Sequence, residues 1–305
     1  MSIAFLVQQC LIGLTNGALI ALIALGYTMV YGIIRLINFA HGDLIMLGSC
    51  LALTLVAAAG IAGAGPAATW GGVALLILVC GLFCGGLNVA VDRIVYKPLR
   101  AAPKLAPLVS AIGVSFIFMN AGLFWLGPAD RSFPDLLPAA NLLPGGWLQF
   151  TAKDLLVLVV VVPLMLAVTA FVKTTRLGKA MRAVSQDPTA AALVGVDVDR
   201  VIAATFFIGG FLGGAASVIY GLYINTISFQ MGFTNGLYAF TAAVLGGIGS
   251  IPGAVVGGLV IGLVRALTSA YVGEKWTGAV VFAILIVILV FRPEGLLGRG
   301  TKEKV

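Results

Sequence analysis

The strongest constraint on this chain is a series of apolar stretches at residues 11–34, 44–64, 70–91, 105–127, 155–172, 201–224, 237–249, 254–272 and 277–291. Together they hold a single charged residue, Arg265. Several reach the roughly 18–20 apolar residues that one helix needs to cross the hydrocarbon of a bilayer. In lipid every backbone polar group must bond within the protein, so only helices and closed barrels can span. A barrel would instead show alternating strands of about ten residues. The fold class is therefore all-α, a polytopic transmembrane helical bundle of eight to nine spans, read as one membrane domain over residues 1–305.

Composition agrees. Charged residues make up 10% of the chain, against about 25% in soluble domains. The formal charge of +7 would suggest nucleic acid in a soluble protein. Here the basic residues sit at the ends of apolar segments, which is topology signal, and no nucleic acid is expected. Cys10, Cys50, Cys80 and Cys84 all lie in apolar segments without the spacing to His that a metal site needs, and they read as small core residues. No basic n-region precedes the first segment, which reads as a retained span.

Basic residues cluster at Arg93, Lys97, Arg100 and Lys104; at Lys173, Arg176, Lys179, Arg182 and Arg200; and at Arg292, Arg299, Lys302 and Lys304. The positive-inside rule places these clusters in the cytoplasm, with the loops at 60–69 and 130–153 and the N-terminus outside. A chain that starts outside and ends inside crosses an odd number of times, so nine crossings fit. The weak member is 237–249, too short to span upright and followed by a glycine-rich break, and it reads as a candidate half-helix.

Two segments are interrupted in ways a plain anchor would avoid. In residues 24–43, Arg35, Asn38, His41 and Asp43 gather between two apolar helices. In residues 240–254, Gly246, Gly247, Gly249, Gly253 and Pro252 break the helix. Broken helices at membrane depth occur where backbone is buried in protein or lines a wet cavity, and in transporters they point to the substrate path. Asn38, His41, Asp43, Gly246, Gly247, Gly249, Pro252 and Arg265 are therefore candidates for that path. The bland readings stand beside this one: His41 and Asp43 can cap a helix at the headgroups, and Arg265 can snorkel to the interface. Asn88 and Asn120 read as interhelical hydrogen-bond partners. Four-residue glycine spacings (Gly209 with Gly213, Gly210 with Gly214, Gly253 with Gly257, Gly258 with Gly262) suit a compact bundle or a subunit interface equally well.

Residues 173–200 form a polar insert holding five of the eighteen Lys and Arg residues. Asp187 followed by Pro188 is an N-cap with Pro at the first helical position, so residues 188–194 read as a short helix stopped by Gly195. That helix is small and apolar, with no basic residue to hold anionic headgroups, which favours docking into a protein groove over lying on lipid. No G-x-x-x-x-G-K-[ST] phosphate loop occurs, so the chain has no recognisable ATP site of its own. Its residues give no reading as an enzyme, with no catalytic residues, cofactor or metal expected.

The runs GYTMVYGIIRLINFAHGD (26–43), RAVSQDPTAAALVGVDVDRV (182–201), FTAAVLGGIGSIPGA (240–254) and RPEGLLGR (292–299) resemble the LivH-type permeases of branched-chain amino acid ABC importers. Arg292 departs from the neutral residue expected before that proline. The resemblance runs nearly end to end and implies a bacterial inner-membrane subunit. Its implied partners are a second, LivM-like permease, two cytoplasmic ATP-binding subunits and a periplasmic substrate-binding protein. It also implies that the insert meets an ATPase through Ala183, Asp187, Pro188, Ala191, Ala192 and Gly195, with residues 292–305 as a cytoplasmic tail. Related permeases carry urea or short-chain amides, and an ATP-independent channel or secondary transporter for a small neutral solute is the remaining alternative.

Overall fold

A computed structural model describes residues 3–60, 66–100, 102–103, 105–138, 140–143, 148–292 and 294–298. In chain order the helices are α1 (Ile3–Ile34), α2 (Ala40–Ala59), α3 (Pro66–Val91), α4 (Lys97–Leu99), α5 (Leu105–Leu126), α6 (Ala152–Thr174), α7 (Arg176–Gln186), α8 (Pro188–Leu193), α9 (Val198–Ile224), α10 (Met231–Gly246), α11 (Ile251–Tyr271) and α12 (Glu274–Phe291). A π-helical turn (Asp92–Tyr96) joins α3 to α4, so this helix is continuous to Leu99. Among the described residues eight helices are long and apolar enough to cross a membrane. Lys104, Arg299, Lys302, Lys304 and most of the tail beyond Arg292 lie outside the described residues.

The apolar character all round α1 puts it at the centre, where residues 17–30 are continuously buried. It packs on α9, α10 and α11, while α5 and α12 turn large side chains such as Phe116, Phe124 and Phe291 outward, as a lipid-facing ring requires. Glycine spacing is spent inside the chain. A Cβ on Gly262 would press on the Gly17 backbone, on Gly258 against Ala21, on Gly257 against the Ala242 carbonyl, and on Gly214 against the Cys80 carbonyl. Of the two readings of those spacings, the compact bundle is the one found.

The two ends of the bundle are distinct. At one, the last turn of α1 meets the α10–α11 turn at Gly249, and the end of α6 carries α7. At the other, β1 (Arg131–Ser132) pairs antiparallel with β2 (Thr226–Ile227), and Lys153 binds Asp135 at 2.5 Å and also Asn225. Gln8 near the start of α1 bonds the Gln149 backbone at this second end.

The span count resolves into eight long helices plus α10, whose 16 residues measure about 24 Å and begin at Met231 rather than near residue 237. α10 starts inside the bundle, with Gly232 and Gly236 against Asp43 and Gly42. At 16 residues α10 is shorter than the roughly 18–20 that an upright span needs, so the half-helix expectation is met in length. α2 also starts early. His41 and Asp43 belong to its first turn and are 0% exposed, so neither lies on a loop at the headgroups. Both helix starts are buried because Gly42, Gly232 and Gly236 let the backbones meet.

Candidate functional site

The insert is built from two caps and a stop. Thr175 caps α7 by accepting from the Gly178 amide at 3.0 Å, and Met181 and Val184 turn inward. Gly178 lies so close to the end of α6 that a Cβ there would strike the Val172 and Phe171 carbonyls. Asp187 then caps α8, accepting from the amides of Thr189 at 2.8 Å and Ala190 at 3.0 Å. At its far end the Val196 amide bonds the Ala191 carbonyl and the Gly195 amide bonds that of Ala192, both at 3.0 Å, with Gly195 at φ +86°. This is the Schellman arrangement, and it needs a left-handed residue at that position. The helix reading of 188–194 with its cap and stop is found as expected.

Ala191 alone on α8 is buried, anchoring the helix to the protein. Ala192 is exposed, and Leu193 and Val194 are 85% and 78% exposed, an apolar tip facing outward. Ala183 is half-buried on α7. Behind the tip, Arg100 joins the buried Asp92 at 2.8 Å to Asp199, and Lys97 adds a 2.7 Å pair to Asp199. The basic cluster after α3 thus clamps the start of α9 and steadies the platform that carries α8.

The interrupted core is the second part. Asn38 donates to Asn88 at 3.0 Å, and Asn88 donates to the Phe206 carbonyl at 2.6 Å, so Asn88 is an interhelical partner as expected. Asn120 is not: its amide returns to Phe116 on its own helix. Ser115 donates to Asp43 at 2.5 Å, and Asp43 sits in the first turn of α2, where the helix dipole favours a carboxylate. Tyr27 packs edge-on to His41 at 4.8 Å. His41 is fully buried, and Asp43 Oδ1 and Asn38 Oδ1 are buried without a hydrogen-bond partner. Such orphans are costly in a bundle interior, so this is a site of stored polarity rather than plain packing.

The third part is the turn between α10 and α11. Gly247 has φ +103° and Gly249 φ +91°, while Ser250 caps α11 and Pro252 occupies its first turn. The Leu296 and Leu297 amides bond the Leu245 and Gly246 carbonyls at 2.8 and 2.9 Å, so the segment after α12 supplies donors that the end of α10 lacks. A cleft of about 90 Å³ joins this turn to the insert, lined by Thr28, Gly32, Met181, Arg182, Gly249 and Ile251 among others. A cavity of about 10 Å³, the size of one water, lies between Asn38 and Ile248.

The candidate path residues therefore fall in three places. Asn38, His41 and Asp43 lie at the start of α2, and Gly246, Gly247, Gly249 and Pro252 at the α10–α11 turn. Arg265 lies apart on α11, its guanidinium carbon 4.2 Å from the centre of the Tyr238 ring. Tyr27, Ser115, Tyr238 and the docked segment 294–298 were not legible as site residues. Only the RPEGLLGR run carried a signal, and it gave no docking place.

A helical bundle with two helix starts buried in its core and a capped, exposed helix on one end is a multi-pass membrane protein of the permease class. The chain belongs to the family described as "Branched-chain amino acid transport system / permease component", which it matches over residues 9–289. It is 40% identical over 316 residues to the high-affinity branched-chain amino acid transport system permease protein LivH of Escherichia coli (strain K12), covering 99% of this chain and 98% of that one. BraD of Pseudomonas aeruginosa, described in the same words, is 41% identical over 305 residues, covering 98% and 97%. The autoinducer 2 import system permease protein LsrD of Escherichia coli (strain SMS-3-5 / SECEC) is 27% identical over 240 residues, covering 75% and 69%. No solved structure matches.

Proposed function

We propose that this chain is the permease subunit of an ATP-driven importer that moves branched-chain amino acids across a bacterial inner membrane. It forms the pathway with a second, LivM-like permease and is supplied by a periplasmic substrate-binding protein. Near-full-length identity of about 40% to LivH and BraD supports the substrate class over urea or short-chain amides. The observation that carries the mechanism is α8, a capped helix whose exposed tip is apolar and uncharged. Such a tip suits a groove on a cytoplasmic ATP-binding subunit. The positive-inside rule applied to the basic residues of 173–200 supports a cytoplasmic position for this end of the bundle and a periplasmic N-terminus.

In this reading Ala183, Asp187, Pro188, Ala191, Ala192 and Gly195 transmit force. ATP binding closes the ATPase pair, α8 moves with it, and α7 passes the motion to the α10–α11 turn through the cleft they share. Inward-open and outward-open states both pre-exist, and ATP or the loaded binding protein shifts them only by binding one state better.

The test is a cysteine at the exposed Ala192 in a background lacking the four native cysteines. It is expected to crosslink to an ATP-binding subunit and to resist a membrane-impermeant thiol reagent added from the periplasmic side. Ready periplasmic labelling would invert the topology and remove α8 from the ATPase.

A further inference from the structure

Among the described residues Arg265 is the one basic side chain set within a long apolar helix, six positions, about 9 Å, before the end of α11. No carboxylate pairs with it among the described residues, and its Nε is buried without a partner. Its one strong neighbour is the Tyr238 ring of α10. On α12, Thr277 keeps a buried hydroxyl with no partner, next to the Gly278 that faces the Tyr238 hydroxyl. Thr15, Thr205 and Thr241 each donate to the carbonyl four residues back, while among the described residues Thr277 shares its unpartnered buried hydroxyl with Thr28 of α1.

An uncompensated cation in a membrane bundle is costly, so its place calls for an anion that visits. The Tyr238 ring meets the guanidinium at its carbon and the buried Nε makes no hydrogen bond, so N–H donors remain for an anion. Those donors match the two oxygens of a carboxylate in a bidentate pair. Arg265 lies toward the end of the bundle away from α7 and α8, the side on which the proposed orientation brings solute from the binding protein.

We propose that Arg265 receives the α-carboxylate of the transported amino acid, with Tyr238 holding the guanidinium plane and Thr277 offering a further donor. This rests on the reading that the solute is a branched-chain amino acid. It makes Arg265 a specificity residue that separates a zwitterionic amino acid from its neutral-carboxyl analogues.

The experiment uses the assembled transporter. Saturation-transfer NMR without binding protein is expected to show leucine contact in the wild type, little contact with leucinamide, loss of leucine contact in R265Q and partial recovery in R265K. In proteoliposomes R265Q is expected to lower kcat/KM for leucine about 10- to 100-fold, the range for one lost hydrogen-bonded charge. ATP hydrolysis stimulated by loaded binding protein is expected to persist. Tyr238→Leu, which leaves the cation in place, is expected to weaken leucine contact as well, and it serves if R265Q does not assemble. Equal contact of leucine and leucinamide in the wild type, or wild-type leucine contact in R265Q, overturns the inference while leaving the importer reading intact. So does an R265Q subunit that loses its partner permease while Tyr238→Leu binds leucine normally, which assigns the cation to an acid of that subunit. Wild-type proteoliposomes that take up no leucine overturn both.

Discussion

Gly195 offers the cleanest perturbation of the proposed coupling helix. It holds φ +86° at the stop of α8, and a Cβ built there meets no atom within 4 Å. Replacement by valine therefore introduces no clash, and its cost is conformational. A left-handed backbone costs an ordinary L-residue about 1–2 kcal/mol, with Asn among the tolerated exceptions. α8 has six residues and one buried side chain, Ala191, so little else resists fraying. A change of 1–2 kcal/mol shifts the formed-to-frayed ratio by roughly 5- to 30-fold. The assay is ATP hydrolysed per leucine imported in proteoliposomes. Gly195→Val is expected to raise that ratio several-fold with assembly intact, and Gly195→Asn to stay near wild type. An unchanged ratio in Gly195→Val would refute the reasoning. Equal losses in both variants would assign the effect to side-chain bulk at the surface instead of the backbone stop.

Three further outcomes follow from packing and charge. Arg100→Ala leaves the buried Asp92 without its partner and is expected to destabilise the subunit by about 3 kcal/mol, read as a fall in thermal unfolding midpoint, with partial recovery in the Arg100→Ala, Asp92→Asn double variant. Gly262→Val presses a side chain into the α1 backbone and is expected to cost about 1–3 kcal/mol or more, whereas Gly71→Ala, facing open space, is expected to be neutral in the same assay. Hydrogen bonds from Lys153 and Asn225 hold the Asp135 carboxyl below the usual aspartate range. A depressed carboxylate stabilises above its unfolded pKa and loses that contribution as pH falls through its folded value, so the small midpoint difference between wild type and Asp135→Asn at pH 7 is expected to shrink as pH is lowered below the usual aspartate range.

What the sequence reveals and what it hides divides along sequence distance. The start and stop of α8 are written in adjacent residues, Asp187, Pro188 and Gly195, and local cap chemistry is enough to read them. The start of α2 is not, because Asn38, His41 and Asp43 look like a polar loop. They are buried only because Ser115, Asn88 and the start of α10 come to meet them from far along the chain. Arg265 stands out in its apolar run, yet its position over Tyr238 depends on how α10 and α11 pack as a hairpin. The docking of Leu296 and Leu297 on the end of α10 is likewise invisible to periodicity, since two backbone amides carry it. Broken helices thus show in sequence as breaks, while the contacts that give those breaks a role are tertiary.

The central claim is that this chain is a permease subunit moved by separate ATPases. The most direct measurement is leucine uptake into proteoliposomes containing the purified chain alone, or the chain with its second permease, ATP-binding subunits and loaded binding protein. The account predicts uptake only in the complete system, and only with ATP on the side carrying α8. Leucine uptake by the chain alone, without nucleotide, would contradict it and make the protein a channel or secondary transporter.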